Sequence, residues 1–257
     1  VHSAIFVSPH FDDICFSLAH LLPRMRLGRK TLINVFTRSD DVSNREVLKR
    51  LERVKGQERI ETISRLRSEE DDAFARPLGF EKTNLDFEDA DIVAGTEKEP
   101  GKHYGGIEQE IQRVTGRMAP LLGELAGRER DSVVFTPLAV GKHRSHLGTF
   151  AAVVAIAQSL PPLALVFYEE LPYAALPGNR DERLAEVRPF LERHRYERHP
   201  MPMDRNDLDR KSAEAGKYQS QMDPSNEHFA IRTPDCPQMH EALWAPGGQA
   251  FLASLLG

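Results

Sequence analysis

The chain places one imidazole and two carboxylates in a single short stretch, Ser8-Pro9-His10-Phe11-Asp12-Asp13. It places two more imidazoles in Gly141-Lys142-His143-Arg144-Ser145-His146. His10 and Asp13 stand three residues apart, so a turn or a first helical step can aim both at one point. His143 and His146 share that spacing and can face one way on a helical turn. Imidazole and carboxylate, with no thiolate, are ligand types of a hydrolytic metal centre. Two histidines and one carboxylate leave a metal with open positions. Such a metal brings the pKa of water near neutrality and polarises a carbonyl. The second Asp and the further His then have the character of the acid–base pair that hydrolysis needs. Taken singly these residues are ordinary. An Asp at a helix start commonly caps it, and chance makes H-x-x-H pairs in a chain with 10 histidines. The joint placement of the two stretches carries the reading.

That placement follows from the elements around them. Ala4–Ser8 reads as a first strand that hands over to a helix from about Asp13 to Leu27, closed by Gly28 as a C-cap. Thr31–Phe36 reads as strand two, with the polar exit Arg38-Ser39-Asp40-Asp41, and Thr83–Phe87 as strand three. The charged stretch from Asn44 to Ala75 is helical by propensity. Residues Glu88–Gly106 are expected to form a long loop that could serve as a substrate lid. Ile107–Ala126 carries a helical apolar stripe, with a kink or break expected at Pro120. Ser132–Thr136 is strand four, directly before the second histidine stretch, and Leu147–Leu160 a buried helix. Ala164–Tyr168 is strand five. Arg180–Leu191 and Leu208–Gln221 read as helices, Arg198–Met203 as an edge strand, and Met239–Trp244 and Gln249–Leu256 as short helices. Strands alternating with helices imply an α/β, Rossmann-like three-layer fold with a mostly parallel sheet. In the common strand order 3-2-1-4-5, strands one and four are neighbours. His10, Asp12 and Asp13 would then meet His143 and His146 at the C-terminal ends of the strands, where such folds put their sites.

The rest of the chain bounds the answer. Its 257 residues suit one domain spanning 1–257 with a sizeable core. A formal charge of -5 and a pI of about 6.1 do not suggest a nucleic-acid binder. The two cysteines, Cys15 and Cys236, make no metal motif or disulfide framework, which points to a reducing, cytoplasmic setting. No apolar run approaches the roughly 18 residues of a membrane span. Nothing in the pattern bars a homo-oligomer.

On these residues the chain resembles the PIG-L (LmbE-like) family, zinc-dependent deacetylases of N-acetylglucosaminyl conjugates. The family's P-H-x-D-D stretch stands here as Pro9-His10-Phe11-Asp12-Asp13, and its H-x-x-H stretch as His143-Arg144-Ser145-His146. Arg67-Ser68-Glu69-Glu70, followed by Ala73 and Leu78-Gly79, is similar to the family's R-x-x-E-x-x-A…L-G helix, and Leu85–Ala90 to the strand and loop after it. Tyr168-Glu169-Glu170-Leu171-Pro172-Tyr173 and Lys211…Tyr218-Gln219-Ser220-Gln221 resemble stretches of a bacterial branch. The resemblance implies Zn²⁺ held by His10, Asp13 and His146. It implies Asp12 as general base, and His143 as oxyanion stabiliser or proton donor to the leaving amine. It implies Arg67 as a substrate contact, and a small-molecule N-acetyl sugar conjugate as substrate. Two positions depart from the common pattern: many members have Pro where Phe11 stands and Glu where Ile14 stands. Lys142 and Arg144 flank the second motif and could attract an anionic sugar, or simply face solvent. Rival readings are an amidase for another sugar- or thiol-conjugate amide and a non-catalytic metal- or glycan-binding module. A non-haem Fe(II) oxygenase also uses two His and one carboxylate, but usually with H-x-D spacing on a β-barrel.

Overall fold

Apolar runs without alternation, such as Ala4-Ile5-Phe6-Val7 and Val133-Val134-Phe135, make strands that must be covered on both faces. The structure, a computed structural model, describes residues 2–89, 106–128, 132–160, 163–222 and 229–256. Its parallel strands are β1 (His2–Ser8), β2 (Leu27–Arg38), β3 (Phe80–Glu88), β4 (Ser132–Pro137) and β5 (Ala164–Tyr168). They stand in the order β3-β2-β1-β4-β5, so β1 and β4 are neighbours, with Ile5 opposite Val134 and Phe6 opposite Phe135. Beyond β5 the sheet turns antiparallel, through β8 (Cys236–Pro246) to the edge strand β6 (Tyr196–Pro202). The short β7 (Ile231–Thr233) also pairs with β8.

The alternation of side chains along β1 divides the core. Ala4 and Phe6 face one apolar layer, where the Phe6 ring stacks on Phe135 at 4.5 Å between centroids. That layer is closed by α1 (Asp13–Leu18), α3 (Gly56–Ala75), α7 (Arg205–Ala215) and α8 (Gly248–Leu256), through residues such as Ile14, Phe74, Ala215 and Leu252. Ile5 and Val7 face the other layer, closed by α4 (Ile107–Arg128), α5 (Arg144–Ser159) and α6 (Asn179–Arg193) with Met118, Val153 and Leu184. The short α2 (Arg45–Arg50) buries nothing and stands outside both layers. This is the mixed α/β three-layer fold expected, with no closed barrel. Among the described residues, no helix is long and apolar enough to cross a membrane.

Several elements differ from the sequence reading. The helix expected from Asp13 to Leu27 ends at Leu18. A 3₁₀ turn, Leu22–Arg24, follows, because Pro23 lacks an amide donor and its ring would strike the carbonyl four residues back. Gly28 lies inside β2 rather than capping a helix. By contrast, α4 runs unbroken through Pro120. Pro120 and Gly116, whose carbonyl loses its donor there, both sit on the exposed face, so solvent can serve that carbonyl. Met239–Trp244 is not a helix but part of β8. Its Glu, Ala and Leu favour helix locally, yet pairing with β5 and β6 on both edges outweighs that propensity. The lid expected within Glu88–Gly106 falls, from 90 to 105, outside the described residues.

One buried ion pair ties the layers together. Lys211 Nζ on α7 lies 2.6 Å from Glu241 Oε1 on β8, and both side chains are wholly buried. The same Glu241 carboxylate accepts the backbone N–H groups of His20 and Leu21, at 3.0 and 3.1 Å, just past α1. Lys211→Met would strand that carboxylate in the core. Urea denaturation should show a loss of about 3–5 kcal/mol, and the double variant Lys211→Met/Glu241→Gln should recover part of it.

Candidate metal centre

β1 and β4 deliver the two motif stretches to one crevice. His10 leaves β1 in a turn whose backbone N–H donates to Asp13 Oδ2 at 2.7 Å, which fixes the His10–Asp13 spacing. Asp12 and Asp13 sit at the start of α1, and Asp12 makes no capping bond to that helix, so its side chain is free for other work. His146 lies in the first turn of α5, and His143 is the residue before that helix. His10 Nδ1 lies 3.3 Å from Asp13 Oδ2 and 3.3 Å from His146 Nε2, and His146 Nε2 lies 3.5 Å from Asp13 Oδ1. One ligand atom from each of the three residues falls within 4.8 Å of the others.

The outer nitrogen of each ring is already occupied. Glu170 Oε1 holds His146 Nδ1 at 3.0 Å, while Glu170 Oε2 accepts the Val140 N–H at 3.1 Å. Asp89 holds His10 Nε2 at 3.4 Å and is itself fixed by the Ser145 hydroxyl at 2.8 Å. Carboxylates on the far nitrogens are what orient metal-binding imidazoles and set their tautomers. The donor set and its supports therefore fit a divalent cation, and His10, Asp13 and His146 could hold one. Electrostatics agree. Burial alone would raise the Asp13 pKa, but His146 and His10 overcome it and hold the carboxylate at about 2. Burial would lower His10, yet Asp89 and Asp13 push it well above the ordinary histidine value.

The remaining motif residues surround this group. Burial raises the Asp12 pKa against the pull of Arg67, whose Nη2 lies 3.3 Å from Asp12 Oδ1. Arg67 is 3 % exposed, and its Nε is buried with no hydrogen-bond partner. His143 is exposed at the rim, its ring centroid 4.6 Å from that of Tyr173 and 5.8 Å from that of His146. Desolvation on its crevice side, with His146 and His10 close by, lowers it to about 4, so the ring is neutral at neutral pH. Tyr173 reaches over both histidines because the loop after β4 gives way. Gly141 has φ +84°, and a Cβ there would lie 2.9 Å from Tyr173 Cβ.

Lys142 and Arg144 are both held in ion pairs. Lys142 pairs with Glu186 at 2.7 Å and Glu182 at 3.2 Å. Arg144 lies 3.2 Å from Glu110 and donates to the Gly106 carbonyl at 2.9 Å. Sequence reasoning assigned no role to Asp89, Glu170 or Tyr173. The signal for the last two was present, since Glu170 and Tyr173 leave the C-terminal end of the strand next to β4. Asp89 likewise follows β3, but β3 is two strands away from β1, which carries His10, and its reach was not legible.

A ligand imidazole must be unprotonated, so filling the site would release any proton that Asp89 and Asp13 favour on His10. Calorimetry of Zn²⁺ binding in buffers of different ionisation enthalpy should show proton release near neutral pH, with affinity rising as pH rises. Glu170→Gln keeps the shape but weakens the grip on His146, and should lower Zn²⁺ affinity about 10- to 100-fold.

No curated protein matches the chain. The A40926 pseudoaglycone deacetylase Dbv21 shares 20% identity over 95% of this chain and 96% of its own, with a TM-score of 0.63. The deacetylase of teicoplanin biosynthesis, solved with teicoplanin, shares 15% over 95% and 97%, with a TM-score of 0.67. The 4-carboxy-2-hydroxymuconate hydratase GalB of Pseudomonas putida KT2440 shares 13% over 95% and 96%, with a TM-score of 0.52. These likenesses establish a shared fold. The family model described as GlcNAc-PI de-N-acetylase matches residues 5–157, which takes in both histidine stretches and the five parallel strands but the last, and the chain belongs to this PIG-L family.

Proposed function

We propose that the protein hydrolyses the acetamide of an N-acetylated amino sugar or its conjugate, releasing acetate and a free amine, with Zn²⁺ as cofactor. The observation that carries this reading is the convergence of His10, Asp13 and His146 beside two groups outside that set, Asp12 and His143. Membership of the PIG-L family supports it, as do the deacetylases among the similar structures. His10, Asp13 and His146 would hold the ion, which when bound supplies Lewis acidity to a carbonyl oxygen and lowers the pKa of water.

The protein's own groups do the rest. Asp12 takes a proton from the attacking water as general base. Burial raises its proton affinity, and Arg67 limits that rise, so the carboxylate can accept a proton and pass it on to the leaving amine. His143, neutral at working pH, has an N–H to donate to the developing oxyanion. A ring held near 4 is a poor reservoir of protons for the amine, which favours the first of its two expected roles. Arg67 retains a buried, unpartnered Nε for a substrate oxygen while its Nη2 steadies Asp12.

Asp12→Asn preserves shape and removes the base. In an acetate-release assay on N-acetyl sugars, kcat should fall about 100- to 10,000-fold, while zinc content measured by elemental analysis stays the same. Full activity in that variant would take the base assignment away from Asp12.

A further inference from the structure

Each imidazole of the site needs something to fix its orientation. His146 has Glu170, and His10 has Asp89. His143 has no such carboxylate. It is the residue before α5 and makes no capping bond there, and among the described residues no hydrogen bond or ion pair holds its ring. Its backbone is fixed, since the His143 carbonyl accepts the Leu147 N–H at 2.9 Å. That leaves the side-chain torsions, which would carry an exposed ring through several rotamers. The neighbours that this ring does meet are themselves rings. Tyr173 lies 4.6 Å away between centroids, inclined at 46°, and His146 lies at 5.8 Å.

Tyr173 is itself well anchored. It opens the 3₁₀ turn Tyr173–Ala175, and its carbonyl accepts the Leu176 N–H at 3.1 Å. The Ala174 N–H donates to the Glu170 carbonyl at 2.8 Å, which ties the turn to the residue that supports His146. The Tyr173 ring also meets His146 edge to face, at 5.3 Å and 86°. Its place is open because residue 141 is a glycine: a Cβ there would lie 2.9 Å from both Cβ and Cγ of Tyr173. The exit from β5 thus serves both histidines of the H-x-x-H stretch, Glu170 through a carboxylate and Tyr173 through a ring.

We infer that Tyr173 is a positioning residue for the reaction: its ring fixes the plane of the His143 imidazole beside His146, so that the N–H of His143 is already oriented when a substrate arrives. The inference rests on the deacetylase reading, which gives His143 its work, and adds the residue that holds it ready. A donor oriented in advance needs no reorganisation as an oxyanion forms. The contact is made by the ring, so the phenol hydroxyl is dispensable to it.

The test uses the full chain loaded with Zn²⁺ and an N-acetyl sugar that it hydrolyses. Tyr173→Leu removes the ring, and kcat should fall about 10- to 100-fold with little change in KM. Tyr173→Phe restores the ring, and should recover the rate to within about 3-fold. In a His143→Gln background the Leu substitution should cost about 2-fold or less, because the group it positions is gone. A loss carried by KM, an equal loss in the Phe variant, or an undiminished loss in the His143→Gln background overturns the inference. NMR of the isotope-labelled chain reads the positioning without turnover. Three-bond couplings about χ1 of His143 should report one rotamer in the wild type and in Tyr173→Phe, and rotamer averaging in Tyr173→Leu. A single rotamer in Tyr173→Leu also ends the inference. If no N-acetyl sugar releases acetate, the deacetylase reading fails for those sugars, and the couplings still decide whether Tyr173 holds His143.

Discussion

Two imidazoles and a carboxylate can converge in a buried crevice only if each ring is held in one orientation. Glu170 does this for His146 and Asp89 does it for His10, each by bonding the nitrogen that points away from the convergence. Without those carboxylates the rings could rotate or swap tautomers, and the 4.8 Å cluster would be one arrangement among several. The supports come from different strands. Glu170 follows β5, Asp89 follows β3, and the rings they hold follow β1 and β4. The crevice thus depends on the order of the whole parallel sheet. Glu169, next to Glu170, secures the far side of that order. It is wholly buried and takes Arg180, Arg198 and the Trp244 indole, which ties the end of β5 to α6, β6 and β8.

How much of this was legible beforehand varies with the range of the interaction that decides it. The five parallel strands, their 3-2-1-4-5 order and the meeting of the two histidine stretches followed from apolar runs and general topology, and the structure has them. Local signals failed where a partner outside the segment decides. Met239–Trp244 has the composition of a helix and becomes a strand because β5 and β6 each offer it an open edge. The helix after Asp13 was read too long because the leucines at 18, 21 and 22 suggested one stripe, while Pro23 ends it. At the site, spacing within each stretch paired His10 with Asp13 and His143 with His146, and the family resemblance singled out His10, Asp13 and His146, whose ligand atoms the structure brings within 4.8 Å of one another. Asp89 lies 79 residues from the ring it supports, and no pattern along the chain connects the two.

Fold and reaction separate at this point. The fold is shared with the A40926 pseudoaglycone deacetylase, the teicoplanin deacetylase and 4-carboxy-2-hydroxymuconate hydratase. The architecture by itself therefore names no chemistry. The distinction lies in which side chains stand around the converging atoms. Asp12, released from capping α1 and desolvated next to one guanidinium, has the setting of a base that must both take and return a proton. His143, held neutral at the rim, has the setting of a hydrogen-bond donor. In the proposed reaction this pair would stabilise an oxyanion and protonate an amine in turn.

Charge near a motif in sequence is a poor guide to charge at a site. Lys142 and Arg144 flank His143 and suggest a basic mouth, yet alternate positions around the start of α5 point to different sides. Glu186 and Glu110 hold them in ion pairs. Arg67, far from both histidine stretches in sequence, is the cation that enters. It enters because α3 packs over the end of β2, and because Glu70 and Asp71 on the same helix are held by Ser220 and Tyr218. Those bonds fix the rotation of α3 about its axis. Since Arg67 precedes Glu70 by one helical turn, the same rotation carries its guanidinium to Asp12. The segment Tyr218–Gln221, which touches neither His10 nor His146, thereby sets the position of the Arg67 guanidinium beside Asp12.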